Sequence, residues 1–231
     1  MKVDAKTRVV VLTGAGISKE SGISTFQDLG GRWEGHSLKE LTSLEGFARD
    51  PDLSWRYYNQ RKEAARAAKP NPAHEALARM EEVLGERFLL VTQNVDGLHR
   101  KAGSHRILEL HGNLFSSKCS SCDLRGNGSG DCDFCGARLR PGVVWFGEQL
   151  RQSDITHATS FMAKAEKLVF ITIGTSGTVY PAASLVDIAC QCGAVCLKVN
   201  LGRDGYDDRY DWVSEGSAVE AVPGLIEELL R

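Results

Sequence analysis

Short runs of bulky apolar residues alternate along the chain with segments that have helical periodicity. Each run is bounded by glycine or polar residues, which is typical of a strand buried on both faces of a parallel sheet. Because strands and helices alternate, we predict an α/β fold built on a Rossmann-like, doubly wound parallel sheet. The runs occupy residues 9–12, 88–91, 107–110, 168–173 and 194–200.

Helix breakers and capping residues predict where the helices begin and end. Pro70 stops one helix, and Asn71-Pro72 starts the next one, which Gly85 ends. Residues 140–148 are mostly apolar, and we predict that they are extended. A helical region is predicted to start at residues 37–41. Further helices are predicted over residues 52–69, 72–84, 182–192 and 223–231.

Two segments interrupt the alternation, and they predict a smaller module beside the sheet. A cleft between the module and the sheet is the default position for a site. We predict a Rossmann-like domain from residues 1–28, 76–112 and 147–231, a helical part of the module from residues 29–75, and a zinc-binding part from residues 113–146.

Polar side chains follow the predicted strands where each strand ends. Gln93, Asn94 and Asp96 come after one strand, and His111 with Gly112 comes after the next. Open parallel sheets place their ligand-binding groups just past the carboxyl ends of the strands, so we expect these residues to share one cleft. The alternative is that they are only turn residues, since Asn, Asp and Gly are common in turns.

Glycine turns follow two further strands. Residues 14–18, Gly-Ala-Gly-Ile-Ser, come directly after the first strand, and Gly174-Thr175-Ser176 come after a later one. A tight glycine turn before a helix lets backbone N–H groups approach a pyrophosphate. Lys19 occupies the third glycine position of the full dinucleotide motif, so a purely structural turn stays an equal alternative.

Two Cys-x-x-Cys pairs are the most specific local signal. Four thiolates at one point suit tetrahedral Zn²⁺, and a closed four-thiolate site leaves no position for water, so the zinc should be structural. Three further cysteines lie in an apolar context and are expected to be buried thiols. The predicted ligands are Cys119, Cys122, Cys132 and Cys135, and the other cysteines are Cys190, Cys192 and Cys196.

Composition and charge narrow the function classes. The chain has 231 residues, with 28 Lys plus Arg against 30 Asp plus Glu. This balance offers no global field for nucleic acid or an anionic membrane. There is no secretory signal and no membrane-spanning stretch, and an odd number of cysteines argues against a disulfide framework. We expect a soluble, cytoplasmic protein.

Together these motifs resemble those of the sirtuin family. They occur in the same order as in the family and cover nearly the whole chain. The motifs that carry the resemblance are residues 14–18, 92–96, 111–112, the four cysteines, residues 143–148 and 174–176. The resemblance implies an NAD-dependent protein lysine deacylase, similar to the bacterial CobB-like deacetylase and desuccinylase class. It also implies that the acyl group passes to ADP-ribose while nicotinamide leaves.

The resemblance also implies roles for individual residues. His111 is implied as the general base toward the ribose hydroxyls, and an imidazole suits this because its ordinary pKa of about 6.5 lies near working pH. Asn94 and Asp96 are its implied catalytic partners. The implied NAD-binding residues are Gly14, Ala15, Gly16, Ile17, Ser18, Phe26, Trp33, Gln93, Asn94, Val95, Asp96, Gly174, Thr175, Ser176, Asn200 and Ala218.

An acylated protein or peptide is the implied partner, bound as an added strand between residues 143–146 and 177–180. Tyr58 and Arg61 lie three apart on one helix face, and without the resemblance they would be an ordinary helix surface. They resemble the pair that holds the carboxylate of succinyl- or malonyl-lysine. The remaining implied substrate residues are Val144, Trp145, Phe146, Gly147 and Val179.

Departures from the family pattern leave alternatives open. Ser24 and Gln27 stand where the family usually has Pro and Arg, and Thr42 could narrow the acyl pocket. A sirtuin-like ADP-ribosyltransferase and a low-turnover module that binds NAD or acyl-lysine therefore remain alternatives. A zinc-ribbon nucleic-acid binder is a third one, which the balanced net charge disfavours.

Overall fold

The structure of the chain is a computed structural model, which describes residues 2–25, 28, 30–126, 128–177 and 179–231. Its strands are β1 (Thr7–Thr13), β2 (Arg32–Trp33), β3 (His36–Ser37), β4 (Phe88–Thr92), β5 (Ile107–Glu109), β6 (Gly112–Cys119), β7 (Arg125–Gly126), β8 (Leu139–Val143), β9 (Lys167–Ile173), β10 (Val195–Asn200) and β11 (Trp212–Glu215).

Helices connect these strands and cover the sheet. The α-helices are α1 (Leu38–Leu41), α2 (Leu44–Arg49), α3 (Pro51–Ala67), α4 (Pro72–Leu84), α5 (Leu98–Lys101), α6 (Gln152–Ala163), α7 (Ser184–Gln191) and α8 (Ala218–Leu230). A 3₁₀ helix, Ala15–Ser21, follows β1 directly.

The central sheet has six parallel strands in the order β11-β10-β9-β1-β4-β5. Because successive side chains of a strand point to opposite faces, Val9 and Val11 enter one core while Val10 and Leu12 enter the other. Residues of α4 and α8 complete the first core, and residues of α6 and α7 complete the second. The doubly wound parallel sheet is therefore confirmed.

The smaller sheets lie in the two interrupting segments. Strands β7, β6 and β8 form an antiparallel ribbon, and β2 pairs with β3. A third apolar core joins the helical segment to the ribbon through Leu41, Trp55, Tyr58, Val143 and Trp145. The domain boundaries given above stay a prediction.

Several element boundaries differ from the prediction. The last helix begins at Ala218 rather than at residue 223, so Pro223 lies inside it. Its buried stripe of Ala218, Val222 and Ile226 packs on the sheet, and this burial tolerates the one backbone hydrogen bond that proline cannot make. The predicted extended chain of residues 140–148 ends as a strand at Val143 and then turns.

Other differences come from weak sequence signals. Helix α6 and strand β11 were not predicted, because α6 buries only Ala158 and Met162 fully. Cys190 and Cys192 are exposed, and only Cys196 of that group is buried, so the expectation of three buried thiols was wrong. Cys190 lies in the last turn of α7 and Cys192 is its C-cap, so both are at the end of the helix. No helix among the described residues has the length and apolar character needed to cross a membrane.

Candidate functional site

The glycine turn after β1 lies against the turn after β9. The N–H of Gly16 donates to the carbonyl oxygen of Gly174 at 2.8 Å, and the N–H of Gly14 donates to Ile173 at 3.0 Å. A Cβ on Gly16 would lie 2.7 Å from the Cα of Gly174, and one on Gly14 would lie 2.7 Å from Thr175. These glycines are required because two backbones meet without room for a side chain. The predicted nucleotide turn is thus also a packing contact.

Gln93 and Asn94 extend from the end of β4 toward both glycine turns. The side-chain amide of Gln93 donates to the Thr175 hydroxyl at 3.0 Å, and its backbone N–H donates to Thr13 at 2.9 Å. Asn94 is buried, and its amide donates to the Ser18 hydroxyl at 3.1 Å. The three strand ends predicted from the sequence therefore meet, as a parallel sheet requires.

His111 lies just past β5, and its ring is oriented by one hydrogen bond. The Nδ1 atom lies 3.0 Å from the carbonyl oxygen of Gln93. A carbonyl can only accept, so Nδ1 carries the proton and the Nε2 lone pair faces away, available to take another. Burial lowers the pKa of His111, and the bond to Gln93 opposes part of that shift. The imidazole is therefore held neutral and directed, which is what a general base requires.

Asp96 follows the same strand as Asn94 and is buried. The N–H of Leu98 donates to its carboxylate at 2.9 Å, which anchors the start of α5. Burial raises the pKa of Asp96, and the Leu98 N–H, the Ser18 hydroxyl and the charge of Arg61 partly counter that shift. Arg61 of the helical segment therefore lies within electrostatic reach of Asp96.

Tyr58 and Arg61 lie on α3, which Asp50 caps by accepting from the N–H of Leu53 at 2.9 Å. Tyr58 is buried, and burial raises the pKa of its phenol, so the hydroxyl stays protonated. The guanidinium of Arg61 donates to the carbonyl oxygen of Ser24 at 3.0 Å, and its charge acts on Tyr58 and Asp96. Helix α3 therefore carries a phenol hydroxyl and a guanidinium on one face.

Trp145 lies beneath Tyr58 in the loop after β8. Its indole N–H donates to the Tyr58 hydroxyl at 2.7 Å, and its side chain is 3% exposed. The backbone N–H of Trp145 donates to the carboxylate of Glu148 at 2.8 Å. Arg140, also buried, pairs with Glu148 and stacks on the indole at 4.3 Å. Arg140 was not predicted, because nothing in the spacing of residues around it indicates a buried cation.

Trp33 and its neighbours cover the entrance from β2. The indole N–H of Trp33 donates to the side-chain oxygen of Gln60, and its ring packs edge-on against Tyr57 with 5.6 Å between centroids. Phe26 and Gln27 lie outside the described residues.

Asn200 and Ala218 lie at the far end of the strand edge. The side-chain amide of Asn200 donates to the carbonyl oxygen of Thr175 at 3.4 Å, and Ala218 is buried at the start of α8. They therefore border the same turn as Gly174, where the predicted adenosine end of NAD would lie.

Two segments, residues 143–146 and 177–180, lie where an added strand was predicted. The backbone N–H of Val144 donates to the carbonyl oxygen of His111 at 2.8 Å, so this segment is paired with the backbone of His111. Phe146 and Val179 are partly exposed on opposite segments, and Gly147 has a φ of +89°. Thr178, within the second segment, lies outside the described residues.

A second layer of histidines lies behind the strand ends, and the sequence analysis missed it. Rings of His74 and His99 lie 4.8 Å apart, and His99 Nε2 lies 2.9 Å from the Thr13 hydroxyl. Burial lowers the pKa of His74 to about 4 and lowers that of His99 well below its ordinary value. Both are therefore neutral supports. Histidines on an apolar helix stripe offer no sequence signal for this role.

The four Cys-x-x-Cys thiols converge at the end of the ribbon. Their sulfur atoms all lie within 4.8 Å of one another, and the closest pair, Cys119 and Cys135, lies 3.4 Å apart. A tetrahedron with Zn–S bonds of about 2.3 Å has edges of about 3.8 Å, so the thiols fit zinc. Backbone N–H groups of Ser121 and Cys122 donate to the Cys119 sulfur and lower its pKa to about 6. All four positions are protein ligands, so the site is structural.

Comparison with known proteins gives one family and near relatives. A model described as the Sir2 family matches residues 14–181. A protein of Pyrococcus furiosus named NAD-dependent protein deacylase is 42% identical over 244 residues, covering 100% of this chain and 96% of the relative. A protein of Escherichia coli strain K12 with the same name is 42% identical over 236 residues, covering 98% and 83%.

Solved structures agree with these sequence relatives. A mutant Sir2 homologue in complex with 2′-O-acetyl ADP ribose superimposes with a TM-score of 0.87 and 39% identity, covering 97% of this chain and 92% of that one. A structure described as Sir2 bound to an acetylated peptide gives 0.81 and 32%, covering 96% and 92%.

Proposed function

This chain belongs to the Sir2 family and is an NAD-dependent protein deacylase, and from that premise we propose how its cleft works and which acyl groups it removes. The observation that carries the proposal is the orientation of His111. The Nδ1–H of His111 donates to the Gln93 carbonyl, so the Nε2 lone pair can accept a proton in the cleft. We assign His111 as the general base of the acyl transfer.

The residues of the strand ends fit NAD. The start of the 3₁₀ helix after Gly14 suits a pyrophosphate, because a helix start favours negative charge. Gln93 and Asn94 lie where ribose hydroxyls could bond to their amides, and Asn200 borders the turn assigned to the adenosine end. When bound, NAD supplies the ribose that receives the acyl group as nicotinamide leaves.

Three side chains of the protein, those of Asn94, Asp96 and His111, have separate roles in the reaction. Asn94 is held on Ser18, where its amide would stand beside the ribose of a bound NAD, and the Asp96 carboxylate holds the start of α5. His111 removes the proton from a ribose hydroxyl, and the neutral imidazole is available because burial lowers its pKa.

The preferred acyl group is acidic, of the succinyl or malonyl type. Tyr58 contributes a protonated hydroxyl and Arg61 a guanidinium, which together suit a carboxylate better than a methyl group. Thr42, named above as able to narrow the acyl pocket, is buried, and its hydroxyl donates to the Leu38 carbonyl at 2.8 Å. Acetyl-lysine is the weaker substrate.

The acylated segment binds as an added strand. Residues 143–146 pass beside His111, and Phe146 and Val179 offer exposed apolar contacts on either side. Backbone pairing makes few sequence demands, so many protein substrates are expected. The acyl pocket then provides the selectivity. A cytoplasmic location stays a prediction.

Mass spectrometry of one peptide with acetyl-lysine or succinyl-lysine tests the proposal. Wild type is expected to remove the acyl group only with NAD and to form acyl-ADP-ribose, with the succinyl peptide reacting faster. His111→Ala is expected to lose this turnover by at least about 100-fold while still binding NAD. A peptide that gains the mass of ADP-ribose would favour ADP-ribosyl transfer instead. Intact peptides with bound NAD would favour a binding module.

A further inference from the structure

The hydroxyl of Tyr58 has one fixed partner. Trp145 Nε1 donates to it at 2.7 Å, and no other partner of this hydroxyl is found in the part of the chain that the structure describes. A tyrosine hydroxyl has one hydrogen to donate and lone pairs to accept with. Because the indole can only donate, it occupies a lone pair and leaves the hydrogen of Tyr58 unused.

The indole itself is held firmly. Arg140 stacks on its face at 4.3 Å and donates to the Val143 carbonyl at 3.1 Å. Glu148 accepts from the Trp145 backbone N–H and pairs with Arg140, so the cation is neutralised in a site where it is only 2% exposed. Phe47 packs on the other side with 5.5 Å between ring centroids. A buried, fully packed side chain of this kind can orient another group without moving.

The Tyr58 hydrogen therefore has a restricted direction. The ring of Tyr58 is fixed by Tyr57 on one side, with 5.0 Å between centroids, and by the indole hydrogen bond on the other. Burial raises the pKa of Tyr58, so the hydroxyl remains a donor. Arg61 lies one helical turn later on the same face. One carboxylate could therefore accept from both the Tyr58 hydroxyl and the Arg61 guanidinium.

We infer that Trp145 is a positioning residue for acyl selectivity: its indole N–H fixes the Tyr58 hydroxyl so that the hydroxyl donates to the carboxylate of an acidic acyl group. The inference rests on the proposed function. The backbone of Trp145 belongs to the segment proposed to pair with the substrate, but its indole is buried and acts on the acyl group only through Tyr58. Its effect should thus appear with acidic acyl groups far more than with acetyl, and should vanish when Tyr58 has no hydroxyl.

Steady-state kinetics on matched acetyl- and succinyl-lysine peptides test this with four proteins: wild type, Trp145→Phe, Tyr58→Phe and the double variant. Trp145→Phe is expected to lower the succinyl-to-acetyl ratio of kcat/KM about tenfold, mainly through a higher KM for the succinyl peptide. Tyr58→Phe should lower it by at least as much. The double variant should match Tyr58→Phe, because both changes remove the same interaction.

Trp55→Phe is the matched control. Trp55 is a buried tryptophan of α3 whose indole N–H donates at 3.0 Å to the Leu139 carbonyl rather than to the pocket. It should lower thermal stability about as much as Trp145→Phe and leave the ratio unchanged. An unchanged ratio in Trp145→Phe, or additive effects in the double variant, would overturn the inference. Wild type that prefers acetyl would overturn it also, whereas wild type that removes neither group contradicts the proposed function itself.

Discussion

On the sheet side of the cleft, Gly16 and Gly174 meet backbone against backbone, whereas on the helical side Tyr58 and Trp145 meet only through their side chains. The sheet side places its groups by main-chain hydrogen bonds, as His111 on the Gln93 carbonyl illustrates. The helical side places its donors by aromatic packing around a buried cation. Groups held by main-chain hydrogen bonds keep their position in most sequence variants, so they fix where the reaction occurs. Groups held by side-chain packing can be moved by a few substitutions. We expect the first side to govern turnover and the second to govern acyl choice.

The largest expected effect is on the backbone contact of the sheet side. Gly16→Ala puts a Cβ 2.7 Å from the Cα of Gly174, which no side-chain motion can relieve. We expect a loss of about 3 kcal/mol or more in the free energy of unfolding, with NAD binding lost in any folded fraction. Gly224→Ala is the control, because that helical position has nothing within 4 Å. It should change stability by about 1 kcal/mol or less, upward. Equal effects in chemical denaturation would contradict the contact.

The zinc ribbon connects both sides, so its loss comes next. Strand β6 starts directly after His111, and β8 ends two residues before Trp145. Cys119→Ser removes one of four ligands, and we expect zinc content to fall well below one per chain. Hydrogen exchange should rise in the ribbon before it rises in the parallel sheet. Cys192→Ser, an exposed cysteine outside the cluster, should keep the zinc. Full zinc in Cys119→Ser would rule out the predicted ligand set.

Lowering the pH should reduce the stability of the protein through the buried histidines of the sheet side. The imidazoles of the sheet side have folded pKa values below the unfolded value of about 6.5, and that of His74 is about 4. As pH falls through that window the unfolded chain takes up protons first, so stability decreases from about pH 6.5 toward pH 4. Above about pH 6.5 the histidines are neutral in both the folded and the unfolded chain, so they no longer make stability depend on pH.

The reaction rate should follow the same groups. Burial lowers the pKa of His111, so the acid limb of kcat/KM should lie below pH 6.5. The phenol of Tyr58 has a raised pKa and stays protonated, so the succinyl-to-acetyl ratio should remain constant between about pH 6 and 9. A ratio that follows the acid limb would mean that one group governs both turnover and selectivity.

The smallest expected effect concerns the surface link between the ribbon and the helical segment. Arg138 and Asp52 form an exposed ion pair at 2.9 Å. Asp52→Asn should shift the melting temperature by no more than about 2 °C, since exposed pairs contribute little. It should not alter the acyl ratio. A larger change in either would show that the helical side depends on its surface charges.

The sheet side could be predicted from the sequence almost completely. Its strands are short apolar runs between polar residues, and a parallel sheet brings their carboxyl ends together, so Gln93 and His111 were expected to meet. The zinc ligands were equally clear from their spacing. The last helix was placed too late because Pro223 was read as its start, whereas the buried stripe from Ala218 decides where it begins.

The helical side could be predicted only in part. Tyr58 and Arg61 share a face by their spacing, but the spacing alone does not distinguish a pocket from a helix surface. The contact between Trp145 and Tyr58 joins residues 87 positions apart, which no local pattern encodes. Arg140 was missed for the same reason. Side-chain packing between distant segments is set by the tertiary fold, so it has no signature in a single sequence.

One kinetic comparison tests the central claim most directly: kcat/KM for acetyl- and succinyl-lysine peptides, measured for wild type, His111→Ala and Arg61→Met. The account predicts that His111→Ala lowers both values by a similar factor of about 100 or more. Arg61→Met should remove the succinyl preference by about tenfold and change acetyl turnover far less. If His111→Ala changed only the ratio, or Arg61→Met lowered both values equally, the division of work between the two sides would be wrong.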